Sequence, residues 1–406
     1  MLNISVEEIL NATEGKLVQG SQAVINRFSL DTRTLQKKDF FIAVKGPNFD
    51  GHDYVVESFR KGANGALVDI TKLGKVKSDF KKHGYKDIPA SFIIIKVEDT
   101  LRSYGLIAAF YRRRFNPVVI AVTGSNGKTT TKELIYQLLL TRYRENEVLK
   151  TEKNYNNEIG VPQTIFQLTP RIKVLVVELG INHIGEMQRL GYMTEPDAGV
   201  ITNIGETHLE FLKNDKIVAK AKGELMPYIK ETLVVNFDDK YYNYFLNNSE
   251  SRVLGFTLNS DLDMDKVNRF DSYMNLGLDG FEVVYKGEKM KFGLIGEHNL
   301  YNLLAALTVC DSFKLDKKKI RKVIEKFKPL EDRGNIMKCR EGFVYFDAYN
   351  ANPTSVKAML YFIHNLKFGN KIAVLGDMME LGKKAMKHHT EVLNYANELD
   401  FSRICV

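Results

Sequence analysis

The sequence predicts an α/β protein of three domains built around a mostly parallel sheet. Three observations carry that reading. A chain of 406 residues is longer than one ordinary hydrophobic core encloses. From residue 118 onward, continuous apolar runs alternate with helical segments: VVIAV, then KELIYQLLL, then KVLVVEL, GVITNI and TLVVNF. Strands apolar on both faces belong to a parallel sheet covered by helices on either side. A second such unit follows later, FVYFDAYN, a helix and KIAVLGD.

Taken in order, residues 1–97 mix short strands (FFIAVKG, ANGALVD, SFIIIKV) with turn-rich links such as GPNFDGHD, and form the first α/β domain. The helical segment DTLRSYGLIAAFYRRRF leads through Pro117 into VVIAV and opens a central domain spanning 98–313. Residues 314–406 form a C-terminal Rossmann-like α/β domain. Its last residues, FSRICV, read as a strand with nothing after it. A doubly wound domain of only ~90 residues is small, so this domain is expected to be incomplete in the chain.

Composition excludes several classes. Hydrophobic content of 44% and charged content of 27% are those of a soluble globular chain. No apolar stretch approaches the ~18 residues needed to cross a bilayer. The start, MLNISVEEILNATEG, has neither a basic nor an apolar leader region, so no secretory signal is expected. Cys310, Cys339 and Cys405 are far apart, which suits reduced thiols in a cytoplasm and argues against a disulfide framework or a zinc site. A net charge of +8 allows an acidic partner. The basic runs Arg112–Arg114 and Lys317–Lys319 sit in helical segments and read as solvated helix faces. No nucleic-acid-binding signature accompanies them.

Residues 123–130, TGSNGKTT, lie between a buried strand and an amphipathic helix whose Leu134, Ile135, Leu138 and Leu139 share one face. The longer phosphate-loop pattern would need a glycine where Val122 stands, so only a shortened form is present. Gly124 and Gly127 let the backbone turn and bring its N–H groups to phosphate oxygens. Ser125, Asn126 and Thr130 complete the loop, Lys128 supplies a charge for the β- and γ-phosphates, and Thr129 supplies a hydroxyl for Mg²⁺. Glu178 ends the run KVLVVE, where a carboxylate is costly unless paired or metal-bound. His208, in TNIGETHLE, follows another strand end and is a candidate second ligand.

These residues resemble the Mur ligases, ATP-dependent amide-forming enzymes of peptidoglycan synthesis. The resemblance continues in order through NYNNEIGVP (154–162), VVELGINHIGEM (176–187), TNIGETHLE (202–210), AKAKGE (219–224), GEHNLYNLLAA (296–306), DRG (332–334), FDAYNANP (346–353) and LGDMMELG (375–382). Within the family, YNANP and GDMMELG resemble the branch that adds D-alanyl-D-alanine to a UDP-N-acetylmuramoyl tripeptide. The resemblance implies ATP and Mg²⁺ as cofactors. It implies Lys128 at the γ-phosphate, Thr129 and Glu178 on a first Mg²⁺, and His208 with a carbamylated Lys222 on a second. Local sequence does not distinguish Lys222 from Lys220. Asn157, with Asn156, is implied beside the reacting phosphate and the substrate. Asn302 is implied at adenine, Arg333 and Asp347 at the γ-phosphate and ribose, and Tyr349, Asn350 and Asn352 in the same loop. Asp377, Glu380 and His389 match positions near the incoming dipeptide. Ser29, Thr32, Arg33 and His52 are implied contacts for the UDP-sugar. The implied enzyme is a monomer, works in the cytoplasm in cell-wall synthesis, inserts into no membrane and takes no nucleic acid. Another Mur-type ligase adding a single amino acid, or a nucleotide-binding regulator without turnover, are the alternatives.

Overall fold

Short apolar strands joined by helices fold into two units, described by a computed structural model for residues 2–207, 209–260, 266–330, 332–340 and 342–406. The first unit comprises Met1–Pro117, Glu152–Pro170 and Tyr192–Thr194, and the second the remainder of the chain. Among the described residues no helix is long and apolar enough to cross a membrane.

In the first unit a five-stranded sheet runs in the order Lys16–Gln19, Ile93–Val97, Gly65–Asp69, Phe40–Ile42, Phe28–Ser29. Its neighbours are parallel except for Lys16–Gln19, which pairs antiparallel with Ile93–Val97. Phe41, Ala66, Val68 and Ile94 of the sheet bury against Val55, Val76, Phe80 and Phe92. The helix Thr100–Arg113 begins at Asp99, whose side chain accepts the Arg102 N–H at 2.9 Å and so satisfies one orphan donor of the first turn.

The Arg112–Arg114 run is a solvated face only in part. Arg112 is 2% exposed, and its Nε donates to the Met193 carbonyl at 3.1 Å. Helical spacing explains the correction: Arg112 lies four residues after the buried Ala108 and shares its face. Arg113 stacks over Tyr192, and Arg114 pairs with Glu8 at 2.6 Å. Lys317–Lys319 are exposed, as their pattern predicts.

In the second unit seven strands form one wholly parallel sheet. Their order is Val267–Asn268, Arg252–Phe256, Thr232–Asn236, Ala198–Ile201, Val118–Thr123, Val174–Glu178, Val148–Lys150. From Val118–Thr123 the chain travels out to Val148–Lys150, returns through Val174–Glu178 and crosses to Ala198–Ile201 on the other side. That reversal of direction opens a crevice at the carboxyl ends of the strands, where ligands of such sheets bind. The helix Lys128–Leu139 covers one face, with Leu134, Ile135, Leu138 and Leu139 all fully buried. It packs with the helix Glu297–Cys310 in a single core that extends to a three-stranded antiparallel sheet, Ser272–Asn275, Phe281–Tyr285 and Glu288–Phe292.

Toward the end of the chain, Gly342–Phe346 pairs antiparallel with Asn335–Cys339, not beside Ile372–Val374 as a Rossmann-like reading of FVYFDAYN expects. Only two residues separate those strands, and so short a link admits a hairpin but no crossover helix. Ile372–Val374 pairs parallel with Arg403–Cys405, flanked by the helices Pro353–His364 and Ala385–Glu398. Leu360, Ala373, Met378, Leu381, Val392 and Ala396 form their shared core.

Arg112 gives a direct test of the buried-cation packing. Arg112→Met is expected to lower the stability of the chain by about 2 kcal/mol, because the Met193 carbonyl loses its donor in a dry setting. Urea unfolding of both proteins checks this, and an unchanged midpoint would contradict it.

Candidate active site

The strand Val118–Thr123 ends in the turn 124–127, from which the helix Lys128–Leu139 departs with no side-chain cap on its first N–H groups. Those open donors and the positive end of the helix dipole suit an anion. Gly127 has φ +78°, and a Cβ there would lie 2.0 Å from Asn302 Oδ1. Gly124 has φ +148°, and a Cβ there would lie 1.9 Å from Thr202 Oγ1. Both glycines are therefore dictated by neighbours as well as by their own backbone.

Those neighbours hold the loop. Ser125 donates its N–H to the Asn203 carbonyl at 2.9 Å, and Asn126 donates its N–H to Asn203 Oδ1 at 2.9 Å. The Asn126 carbonyl accepts from Thr202 Oγ1 at 2.6 Å and from Asn203 Nδ2 at 3.1 Å. Ser125 Oγ donates to the Gly205 carbonyl and accepts the Gly205 N–H at 2.8 Å. Asn352 Nδ2 donates to Asn126 Oδ1 at 2.6 Å, while its own Oδ1 caps the helix Pro353–His364 through the Ser355 N–H at 3.0 Å. The YNANP segment thus reaches the phosphate loop through Asn352.

Lys128 is folded back, its Nζ donating to the Gly124 carbonyl at 2.8 Å and to that of Ser125 at 3.2 Å. Burial pushes its pKa below the ordinary lysine value; Glu178 and Glu380 oppose that shift and Arg333 adds to it. The Lys128 charge is also felt at Lys222. Burial first, and the Lys128 charge second, push Lys222 well below the ordinary value. Lys222 is 1% exposed on the helix Asp215–Gly223, whereas Lys220 is exposed, so the fold makes the distinction that local sequence does not. Lys128, Glu178, Lys222, Arg333 and Glu380 are brought together. His208 lies outside the described residues.

Glu178 closes its strand opposite Val122, buried, with its N–H donated to Thr151 Oγ1 at 3.0 Å. Beneath it lies Lys132, which sequence reasoning passes over. Its Nζ donates to the Thr151 carbonyl at 2.7 Å, and lies 3.1 Å from Glu133 and 3.8 Å from Glu178 Oε2. Lys150 pairs with Glu133 at 2.6 Å, so the buried charges alternate in sign. The signal for Lys132 was its spacing: 132, 135 and 139 share the apolar face of the helix.

The oxygen donors of Thr129 and Glu178, beside a phosphate loop, are of the hard type Mg²⁺ takes, so the residues fit such an ion. Among the described residues no three His, Cys, Asp or Glu side chains form a metal cage by themselves. Mg²⁺ in nucleotide sites uses one or two carboxylates and completes its shell from phosphate and water.

Asn302 is buried. Its Oδ1 accepts from Thr131 Oγ1 at 3.3 Å, and its Nδ2 donates to Asn299 Oδ1 at 3.0 Å. Thr130 is half-buried in the first turn of the loop's helix. Tyr349 lies under the Arg333 guanidinium, 3.7 Å from the ring centroid. Asp347 accepts from Tyr345 Oη at 3.3 Å, and Asn350 Oδ1 accepts the Ala351 N–H. His389 has both ring nitrogens engaged, with the Met378 N–H at 3.0 Å and the Ala385 carbonyl at 2.8 Å, and so shapes the GDMMELG segment from within. Asp377 is exposed 3.7 Å from His389.

The remaining residues named from sequence belong to the first unit. His52 is buried, with Nδ1 on Asp50 at 2.5 Å and Nε2 accepting the Asp69 N–H at 2.9 Å; it pins the PNFDGHD turn. Thr32 is buried, and its carbonyl accepts from Lys61 at 2.9 Å. Ser29 Oγ donates to the Asp31 carbonyl, and Arg33 is an exposed partner of Asp31. Asn157 Oδ1 accepts the N–H groups of Ile159 and Gly160 at the start of a short helix, beside the half-buried Asn156.

A parallel α/β sheet with a shortened phosphate loop, a buried strand-end glutamate and a buried lysine whose pKa the loop lysine lowers defines a nucleotide-dependent ligase site. The model of the Mur ligase middle domain matches residues 122–310, and that of the Mur ligase glutamate ligase domain matches 332–405. The chain is 32% identical over 396 residues to the UDP-N-acetylmuramoyl-tripeptide--D-alanyl-D-alanine ligase of Bacillus subtilis, covering 96% of this chain and 82% of that protein. It superposes on the crystal structure of MurF from Acinetobacter baumannii with a TM-score of 0.86 at 27% identity, covering 99% of this chain and 85% of that one. The MurF ligase of Thermotoga maritima in complex with ADP gives a TM-score of 0.76 at 27% identity, covering 92% and 83%. The chain belongs to the Mur ligase family.

Two substitutions probe this geometry. Gly127→Ala is expected to abolish nucleotide binding, because its Cβ meets Asn302 and its φ is left-handed. Titration with ADP reads this, and the double variant with Asn302→Ala should recover little, since the backbone strain remains. A lysine whose pKa falls on folding binds fewer protons folded than unfolded, so its penalty is present at neutral pH and fades as pH rises toward ~10.4. Lys222→Met is therefore expected to stabilise bicarbonate-free protein by about 1 kcal/mol or more at pH 7, less at pH 9.5, and to be inactive. A variant less stable than the parent at pH 7 would overturn the assigned cost.

Proposed function

We propose that this Mur ligase joins D-alanyl-D-alanine to the terminal carboxyl group of a UDP-N-acetylmuramoyl tripeptide, consuming ATP and releasing ADP and phosphate. The observation that carries the reading is the convergence of Lys128, Glu178 and Lys222 at the shortened phosphate loop. The similarity to D-alanyl-D-alanine ligases along nearly the whole chain supports the substrates. A carboxylate is a poor acyl donor, so the γ-phosphoryl group passes to it first and gives an acyl phosphate. The dipeptide amine attacks that carbonyl, and phosphate leaves from the tetrahedral intermediate.

The chain's own residues serve that sequence in definite ways. The loop N–H groups of 124–130 and the Lys128 ammonium hold the nucleotide phosphates and reduce their repulsion of the substrate carboxylate. Thr129 and Glu178 would hold a first Mg²⁺, and His208 with Lys222 as its carbamate would hold a second. Mg²⁺ supplies charge neutralisation between the two anionic reactants. The lowered pKa of Lys222 supports carbamylation, because only the neutral amine adds to carbon dioxide. Asn302, Arg333, Asp347, Tyr349 and Asn350 serve the nucleoside side. Ser29, Thr32, Arg33, His52, Asn156 and Asn157 serve the UDP-linked substrate, His52 by shaping the turn that carries it. Three domains, 1–97, 98–313 and 314–406, divide these tasks in a monomer working in the cytoplasm, where nucleotide-linked wall precursors are made.

The test is phosphate release from ATP with UDP-N-acetylmuramoyl tripeptide, with and without D-alanyl-D-alanine. Release is expected to depend on the dipeptide and to fall about 10²–10³-fold in Lys128→Ala, the range seen when one transition-state charge partner is removed. Equal stimulation by a single amino acid would assign the chain to another step of the same family.

A further inference from the structure

Strand Thr232–Asn236 runs out into Phe237-Asp238-Asp239-Lys240-Tyr241, a stretch the proposed chemistry does not use. Asp239 accepts the Ile204 N–H at 2.6 Å on one carboxylate oxygen and the Tyr241 N–H at 2.8 Å on the other. Ile204 lies between Asn203 and Gly205, the residues that hold Asn126 and Ser125 of the phosphate loop. Asp238 accepts the Leu258 N–H and the hydroxyls of Thr257 and Tyr301, the last at 3.0 Å. Tyr301 precedes Asn302, which abuts Gly127. Lys240 pairs with Asp215, and the Tyr241 hydroxyl donates to it at 2.8 Å. Asp215 opens the helix that ends beside Lys222. One short turn thus ties down the loop 202–205, the helix Asp215–Gly223 and the helix Glu297–Cys310.

We propose that the acidic turn Asp238–Tyr241 positions the nucleotide site, with Asp239 the positioning residue that sets the phosphate loop through Ile204 and Asn203. Asp239 acts only through others. Its two oxygens fix the spacing between the Ile204 and Tyr241 amides, and so the height of Asn203 against the Asn126 N–H. The choice of a carboxylate is chemical: it accepts from two N–H groups at once, whereas an amide side chain accepts from one and opposes a donor to the other. The inference rests on the phosphate loop binding ATP.

The experiment uses the full chain, a fluorescent ATP analogue with MgCl₂, and the variants Asp239→Asn, Asp239→Ser and Thr257→Val. Both Asp239 variants are expected to weaken analogue binding at least tenfold and to raise KM for ATP in parallel. The kcat at saturating ATP should fall less, and the unfolding midpoint should stay within a few degrees. Thr257→Val, which removes one donor to Asp238 and leaves both contacts of Asp239 in place, should weaken nucleotide affinity less than either Asp239 variant. Native affinity in both Asp239 variants would overturn the proposal. So would a lowered midpoint with unchanged affinity, or failure of both to fold, since each makes Asp239 a residue of the scaffold alone. Were the unaltered chain to bind no nucleotide, the functional reading itself would fall. Were it to bind nucleotide but show no dipeptide-dependent phosphate release, the substrates would fall and the positioning role would stand.

Discussion

The site depends on one interlock, the hydrogen-bonded seam between the phosphate loop 124–127 and the segment 202–205 that follows the neighbouring strand. A phosphate loop is normally held by its own glycines and the helix behind it. Here the turn is short, Val122 is still a buried strand residue, and the loop's amides and carbonyls are satisfied from outside by Thr202, Asn203 and Gly205. Backbone polar groups in such a place are costly unless paired, so the seam makes the shortened loop viable. It also couples the loop's shape to whatever fixes 202–205. The parallel register of the two strands, Ile201 opposite Thr123, places the two segments side by side.

That dependence explains what sequence makes legible and what it hides. The strands of the central sheet are legible because they are apolar on both faces, and so is the phosphate loop, because its residue types follow from phosphate chemistry. Glu178 is legible as a charge at the end of an apolar run. The partners of these groups are not. Asn203 and Asp239 are turn residues by type, and nothing local reveals that their oxygens meet amides from other segments. Lys220 and Lys222 are equivalent on paper, and only packing of the helix Asp215–Gly223 buries one and exposes the other. Arg112 misleads for the same reason: a basic run suggests solvent, but helical geometry turned one of its members inward. The pairing of Gly342–Phe346 with Asn335–Cys339 is hidden because an apolar run by itself does not say which strand it meets.

The charges around the loop follow a single logic. Glu178, Lys132, Glu133 and Lys150 follow one another with alternating sign, and Lys132 is joined to Glu178 through Thr151, which takes the Lys132 ammonium on its carbonyl and the Glu178 N–H on its hydroxyl. Charge pairing of this kind adds little net stability, because desolvation offsets most of the attraction. What it contributes is fixed geometry for a carboxylate that would otherwise be free to turn.

Above that balanced layer the balance is broken. Burial lowers the pKa of both Lys128 and Lys222, the Lys128 charge lowers that of Lys222 further, and Arg333 lowers that of Lys128. Burial of two lysines is an unfavourable arrangement that a polyanion at the loop would relieve. The fold therefore carries electrostatic cost at the phosphate loop and neutral pairing beneath it. Lys128, folded onto the carbonyls of Gly124 and Ser125, marks the same point: neutral carbonyls are weaker acceptors for an ammonium than an anion is. Rigid support below and dehydrated charge above are complementary requirements, since a charge can favour a transferring phosphate over water only if the chain does not relax around it.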